Sequence, residues 1–169
     1  MTITEPWTAY SRNKIIPPEQ IKAKVAELRK AGKTIATLNG SFDLLHAGHL
    51  HIIFEAAKVC DVLIVALNTD RSIQEYKSPQ RPIVPLEYRL QMMAAIGFVD
   101  YVTWFDETDP RRILDEIKPD VHVNGAEYGP NSIESDIIHS NGGKIHIVQL
   151  VPGLSTSQII KKIIATEKG

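Results

Sequence analysis

The chain has 169 residues, 43% of them hydrophobic, a formal net charge of −1 and a single cysteine, Cys60. That length and apolar content suffice for one domain with its own core, without help from disulfides or metals. The near-neutral charge argues against a sequence-independent nucleic-acid binder, which needs a basic surface to neutralise phosphates. A lone cysteine rules out an intrachain disulfide, and no segment approaches the ~18 apolar residues of a membrane span.

Met1–Tyr10 carries no apolar run, so a soluble, cytoplasmic protein without a membrane or nucleic-acid partner is expected. From Pro17 to Ala31, the residues Ile21, Val25 and Leu28 recur at helical spacing, with prolines at the start and Gly32 after the end. This pattern predicts a short amphipathic helix within an N-terminal segment, residues 1–32, that precedes the main domain, residues 33–169. Five brief β-branched runs follow: Thr34–Leu38, Val62–Leu67, Tyr101–Trp104, Val121–Val123 and Ile145–Val148. Each is bounded by polar residues or glycine and reads as a strand. Helical patterns lie between and after them, at Gly48–Val59, Pro85–Ile96, Pro110–Ile117, 131–141 and Ser157–Thr166. Strand and helix in alternation imply right-handed crossovers and a parallel sheet covered on both faces. The predicted fold is a doubly wound, Rossmann-like α/β domain with a five-stranded parallel sheet and a ligand site at the carboxyl ends of its strands. Tyr76–Pro85, with Pro79, Pro82 and Pro85, is the long irregular connection and is expected to act as a lid.

The densest chemistry follows the first strand, in Asn39-Gly40-Ser41-Phe42-Asp43-Leu44-Leu45-His46-Ala47-Gly48-His49. A strand, a glycine-containing turn and a helix start together make an anion site, because free backbone N–H groups and the helix dipole face the ligand. The run lacks both the Gly-x-Gly-x-x-Gly of a dinucleotide fold and the Gly-Lys-Ser/Thr of a P-loop. Its cation-capable groups are His46 and His49, which a helical first turn would place on one face, within reach of a single phosphate. Gly48 removes a side chain where a nucleotide would otherwise meet Cβ. Zinc would need at least a third ligand, and His51, two residues from His49, points elsewhere on a helix; structural roles suffice for His122, His139 and His146. Ser155, Thr156 and Ser157 form a second hydroxyl-rich helix start, at once a cap and an anion site.

Gly40-Ser-Phe-Asp-Leu-Leu-His-Ala-Gly-His49 resembles the signature of the His-x-Gly-His nucleotidyltransferase superfamily, which includes cytidylyltransferases and adenylyltransferases. Leu67-Asn68-Thr69-Asp70, Arg81-Pro82-Ile83 with Glu87-Tyr88-Arg89, Val99-Asp100-Tyr101-Val102 and Gly153-Leu154-Ser155-Thr156-Ser157 extend the likeness from about Lys14 to Ile163. Within the superfamily the chain is most similar to heptose 1-phosphate adenylyltransferases.

The resemblance implies in-line attack of a substrate phosphate on the α-phosphorus of a nucleoside triphosphate, with release of pyrophosphate. It implies catalytic roles for His46 and His49. Nucleotide contacts would come from Ser41, Phe42, Gly48, Asn68, Arg89, Asn124, Gly125, Ser155, Thr156 and Ser157. Lys14, Asp43 and Lys77 would meet the acceptor. Mg²⁺ would be held by phosphate oxygens and water rather than by protein side chains, and a homo-oligomer is expected. ATP and heptose 1-phosphate are the implied substrates, with CTP and glycerol 3-phosphate as the alternative pair. Two departures bear on that choice. Asn124-Gly125-Ala126-Glu127-Tyr128 stands where heptose-phosphate adenylyltransferases carry Lys-Gly-Gly-Asp-Tyr. Leu150-Val151-Pro152-Gly153 replaces the Arg-Thr-Glu-Gly of the cytidylyltransferase branch, which weakens the CTP reading.

Overall fold

A computed structural model describes residues 6–129, 131–149 and 151–167; Leu150, part of the replaced run, lies outside them. The five expected strands form as β1 (Ile35–Gly40), β2 (Val62–Asn68), β3 (Tyr101–Phe105), β4 (Val121–Gly125) and β5 (Lys144–Val148). They make one parallel sheet in the order β3-β2-β1-β4-β5. The helices are α1 (Trp7–Arg12), α2 (Ile21–Lys30), α3 (Ala47–Ala57), α4 (Asp70–Tyr76), α5 (Leu86–Ala95), α6 (Arg111–Ile117), α7 (Ser135–Ser140) and α8 (Thr156–Glu167).

Side-chain alternation along β2 explains the two helical layers. Leu63, Val65 and Leu67 face a core shared with Ile52 and Ile53 of α3 and Leu90 and Met93 of α5. Val62, Ile64 and Ala66 face a second core with Ile21, Val25 and Leu28 of α2, Ile113 and Leu114 of α6 and Ile138 of α7. All seven β2 residues are buried, as a central strand covered on both faces requires.

The N-terminal segment is built into this architecture rather than standing ahead of it. Ile15 bridges Val102 in parallel, with Ile16 N–H donating to Val102 O and Val102 N–H to Lys14 O, each at 2.8 Å. That bridge covers part of the open edge of β3, where unpaired backbone groups would otherwise invite another chain. Two short helices escape the sequence pattern. The first, α1, docks on α5, and its Trp7 indole N–H donates to Gln91. The second, α4, buries only Ser72 and Ile73, too few apolar positions to reveal a period. Its one local signal is the cap, in which Thr69 Oγ1 accepts from Ser72 N–H.

The strand order reverses between β1 and β4, and pairing there runs only through Ala36↔Val121 and Thr37↔His122. Between β1 and β2 it continues to Gly40↔Leu67. Asn39–Gly40 and Asn124–Gly125 therefore separate, opening the crevice that such a switch point provides.

Candidate active site

The loop from β1 to α3 is held in a costly conformation. Phe42 (φ 46°) and Leu44 (φ 52°) both adopt left-handed backbone, uncommon for bulky residues and maintained only where the surroundings over-determine it. Those surroundings are explicit. The buried Asp43 carboxylate accepts from the Ile83 and Val84 amides and from Arg81. Burial alone would push the Asp43 carboxyl up, but these donors together hold it below the ordinary aspartate range. Arg89, 0% exposed, donates to the carbonyls of Ser41, Asn68 and Val84 and to the Asp70 carboxylate. Thr156 Oγ1 donates to the Asp43 carbonyl at 2.8 Å.

At the end of this loop, His46 is the cap of α3 and is not yet helical (φ −144°, ψ 170°). The two histidines thus do not share a helical face, as the spacing alone suggests. They meet by stacking, ring centroids 3.8 Å apart and planes inclined by 23°. His46 Nδ1 accepts from the backbone N–H groups of Gly48 (3.1 Å) and His49 (3.4 Å). That acceptor role leaves the imidazole proton on Nε2, assigning the tautomer through the network. A Cβ on Gly48 would lie 3.0 Å from the His46 ring and 3.3 Å from Leu154 Cβ, so glycine preserves the stack. Burial lowers the His46 pKa. His49 is brought down to about 4, by burial first and then by His46 and Lys77, against the opposing charge of Asp43. Its Nδ1 is buried without a hydrogen-bond partner among the described residues.

The crevice has two compartments. One, about 220 Å³, lies between Phe42, His46, Gly48 and His49 on one side and Leu154, Ser155 and Thr156 on the other. The second, about 460 Å³, opens toward β2, β3 and α7 and is lined by Asn68, Phe105, Thr108, Ser132 and Glu134. Asn39, Gly40, Ser41, Lys77, Asn124 and Glu127 line both and mark the junction. Lys77 Nζ donates to Ser41 Oγ at 2.9 Å. Although much of this side chain is exposed, burial of the ammonium, and then Arg81, push its pKa down.

The model of the cytidylyltransferase-like family matches residues 37–162. The chain belongs to this family. It is 37% identical over 153 residues to the bifunctional protein HldE of Syntrophotalea carbinolica, covering 90% of this chain and 31% of that one. It is 41% identical over 150 residues to the protein of the same name from Aeromonas hydrophila subsp. hydrophila, with coverages of 88% and 32%. The chain thus spans about a third of the length of these relatives. Among solved structures it is similar to a lipopolysaccharide core biosynthesis protein from Thermoplasma volcanium GSS1, with a TM-score of 0.58 and 28% identity over 71% of this chain and 98% of that one.

In this cytidylyltransferase-like crevice the structure brings together Ser41, Phe42, His46, Gly48, His49, Lys77, Asn124, Gly125, Ser155 and Thr156. Other sequence expectations are redistributed. Arg89 is fully buried, with four of its five N–H donors given to carbonyls and Asp70, so it shapes the loops instead of meeting a phosphate. Asp43, 1% exposed, clamps the Arg81–Val84 segment instead of facing an acceptor. Lys14 Nζ donates to the Ile96 and Val99 carbonyls (3.1 and 2.6 Å) near the end of α5 and lines neither compartment. Asn68 belongs to the second compartment, its amide donating to Ser72 Oγ. Ser157 is exposed and lines neither, while Ser155 Oγ accepts from Gln158 N–H as the cap of α8. The sequence reading missed Asn39, whose buried Oδ1 has no partner among the described residues, and the carboxylates Glu127 and Glu134. Position at a strand end could have flagged Asn39; Glu134 carries no local signal.

Proposed function

We propose that this chain is a cytoplasmic nucleotidyltransferase that moves AMP from ATP to heptose 1-phosphate, giving ADP-heptose and pyrophosphate. The observation that carries the reading is the stacked His46–His49 pair facing the Ser155 end of α8 across a cleft at the strand-order switch. Support for a sugar acceptor comes from the likeness to the HldE proteins and to the lipopolysaccharide core biosynthesis protein. Support for ATP comes from the Leu150–Gly153 replacement. Among the described residues no helix is long and apolar enough to cross a membrane.

An oxygen of the acceptor phosphate attacks the α-phosphorus. Its new P–O bond forms as the bridging bond to the β-phosphate breaks, and pyrophosphate departs. The chemistry needs no covalent nucleophile, only positioning and stabilisation of developing negative charge. His46, with its proton fixed on Nε2, donates to a phosphate oxygen; the neighbouring imidazole of His49 donates beside it. Backbone N–H groups of Ser41 and Phe42 and the Ser155 hydroxyl complete the cradle. Lys77, at the junction, attracts both the α-phosphate and the incoming acceptor phosphate. Mg²⁺ supplies further charge neutralisation when bound. Phosphate oxygens and water would hold the ion, in keeping with how reluctantly it dehydrates, with Glu127 the carboxylate at the junction. The exposed apolar residues Leu50 and Phe54 on α3 and Ile163 and Ile164 on α8 offer surface for a homo-oligomer.

The test is pyrophosphate release from four nucleoside triphosphates, each paired with several sugar and polyol phosphates. ATP with heptose 1-phosphate should give the highest kcat/KM. A higher value for CTP with glycerol 3-phosphate would overturn the substrate assignment.

A further inference from the structure

We infer that Glu134, held in place by His122, recognises the hydroxyl-bearing end of the acceptor and so selects polyhydroxylated phosphates. The inference rests on the transferase reading above and adds which residues choose the acceptor. Glu134 is 5% exposed, and what remains exposed of it belongs to the wall of the second compartment. Around it are amide, hydroxyl and aromatic groups from Asn68, Ser132, Thr108 and Phe105. Such a mixture suits a ligand with many hydroxyls and an apolar ring face, in a volume of the size that small-molecule sites occupy.

A buried carboxylate is costly unless paired, and this one is paired from behind. Thr37 Oγ1 on β1 meets His122 Nδ1 on β4 at 2.8 Å, and His122 Nε2 lies 3.4 Å from Glu134 Oε1. The last contact falls short of full hydrogen-bond geometry, so His122 packs against the carboxylate and leaves it with acceptor capacity for a ligand. Burial would raise the Glu134 pKa, but His122 and the Asn124 amide outweigh it and keep the group below the ordinary glutamate range, ionised at neutral pH. His122, 0% exposed, touches no ligand and is a positioning residue.

Charge then orients the acceptor. A phosphate is repelled by Glu134 and attracted by Lys77 at the junction, so the phosphate end lies beside the nucleotide and the hydroxylated end reaches toward α7. A site built to pair with hydroxyls rejects analogues lacking them, because its buried polar group is left unpaired.

E134Q should raise the KM for heptose 1-phosphate about 10- to 100-fold while leaving the KM for ATP within about twofold of wild type. For at least one monodeoxy sugar phosphate the two proteins should converge, since both then lack the same bond. His122→Gln should shift the acceptor KM in the same direction, with kcat and the ATP KM little changed. Should E134Q melt well below wild type, E134D, which keeps the charge beside His122 but shortens its reach, carries the same comparison. An unchanged acceptor KM in E134Q and E134D, or equal increases for ATP and acceptor, overturns the inference. If wild type turns over no sugar phosphate, the catalytic reading fails by itself. Calorimetric titration with heptose 1-phosphate then decides the compartment: binding by wild type that E134Q loses supports it, and equal binding or none in both refutes it.

Discussion

The two compartments of the crevice are assembled in opposite ways. The residues that line the histidine compartment and not the other come mainly from two stretches, 42–49 and 154–156, each a turn leading into a helix. The second compartment takes its own residues from the ends of β2 and β3, the loop after β3 and the loop before α7, with Glu134 more than sixty positions from Asn68. Contiguity lets one local backbone arrangement place several groups, which suits the fixed geometry of a triphosphate. Dispersal lets each wall position change separately, which suits a compartment that distinguishes acceptors.

What joins them is Arg89, and removing it should have the largest effect. Its guanidinium ties Ser41 at the junction to Asn68 in the second compartment and anchors Val84 in the segment before α5. Arg89→Met would take the guanidinium from three carbonyls and leave the Asp70 charge with the Leu86 N–H, at a cost of about 3–5 kcal/mol in unfolding free energy, read as a fall in the urea midpoint. An arginine that served only as a phosphate ligand would leave that midpoint in place and raise the KM for ATP instead.

Arg89 also shows where sequence reading stops. The five strands, the helices other than α1 and α4, a ligand site at the strands' carboxyl ends and the His46-x-Gly48-His49 turn follow from periodicity and local chemistry, because strand alternation and helix starts are encoded within a few residues. An arginine on a helix beside a nucleotide motif gives no sign of whether it faces a ligand or three buried carbonyls. That depends on where Ser41, Asn68 and Val84 arrive in space. Lys14 is similar: nothing in Asn13-Lys14-Ile15 announces that Ile15 will bridge β3 and leave the lysine over the Ile96 and Val99 carbonyls. Glu134 is invisible for the same reason, since its partner His122 lies on another element.

Within the histidine compartment, His46→Ala and His49→Ala should each lower kcat by about 10²-fold, the scale of losing a donor that meets developing charge. The pair is not equivalent. Because His46 Nδ1 caps α3, its replacement should also destabilise the fold by about 1 kcal/mol, whereas His49→Ala should leave the cap intact. Normal turnover in both variants would remove the histidines from the mechanism.

A smaller effect belongs to Thr156, whose hydroxyl hydrogen is committed to the Asp43 carbonyl. Thr156→Val should cost about 1 kcal/mol of support for the strained loop and raise the KM for ATP several-fold while leaving the acceptor KM unchanged. Movement of both Michaelis constants together would mean that the compartments do not bind their substrates separately.

The subtlest distinction is electrostatic, and pH reads it. In the free protein His49 titrates near 4, against an ordinary 6.5, because of burial first and then His46 and Lys77. Between those values the unfolded chain holds more of this proton than the folded one, so the His49 contribution to stability is present above pH 6.5 and declines as pH falls toward 4. Asp43 and Glu134, both depressed, lose their contributions only at lower pH, as their carboxyls protonate below the ordinary values of 3.8 and 4.5. A bound triphosphate reverses the local balance at His49, since its negative charge favours the imidazolium and raises the pKa. Binding should therefore take up protons in the window above pH 4, and ATP affinity should rise as pH falls through it, by about tenfold per pH unit at most for one proton. Calorimetry in buffers of different ionisation enthalpy measures the uptake directly. Wild type should show it, and His49→Gln should show markedly less. Acceptor binding, whose hydroxylated end lies beside the carboxylate of Glu134, should show no proton uptake that His49→Gln removes. Equal proton uptake for ATP and acceptor would erase the electrostatic difference between the two compartments.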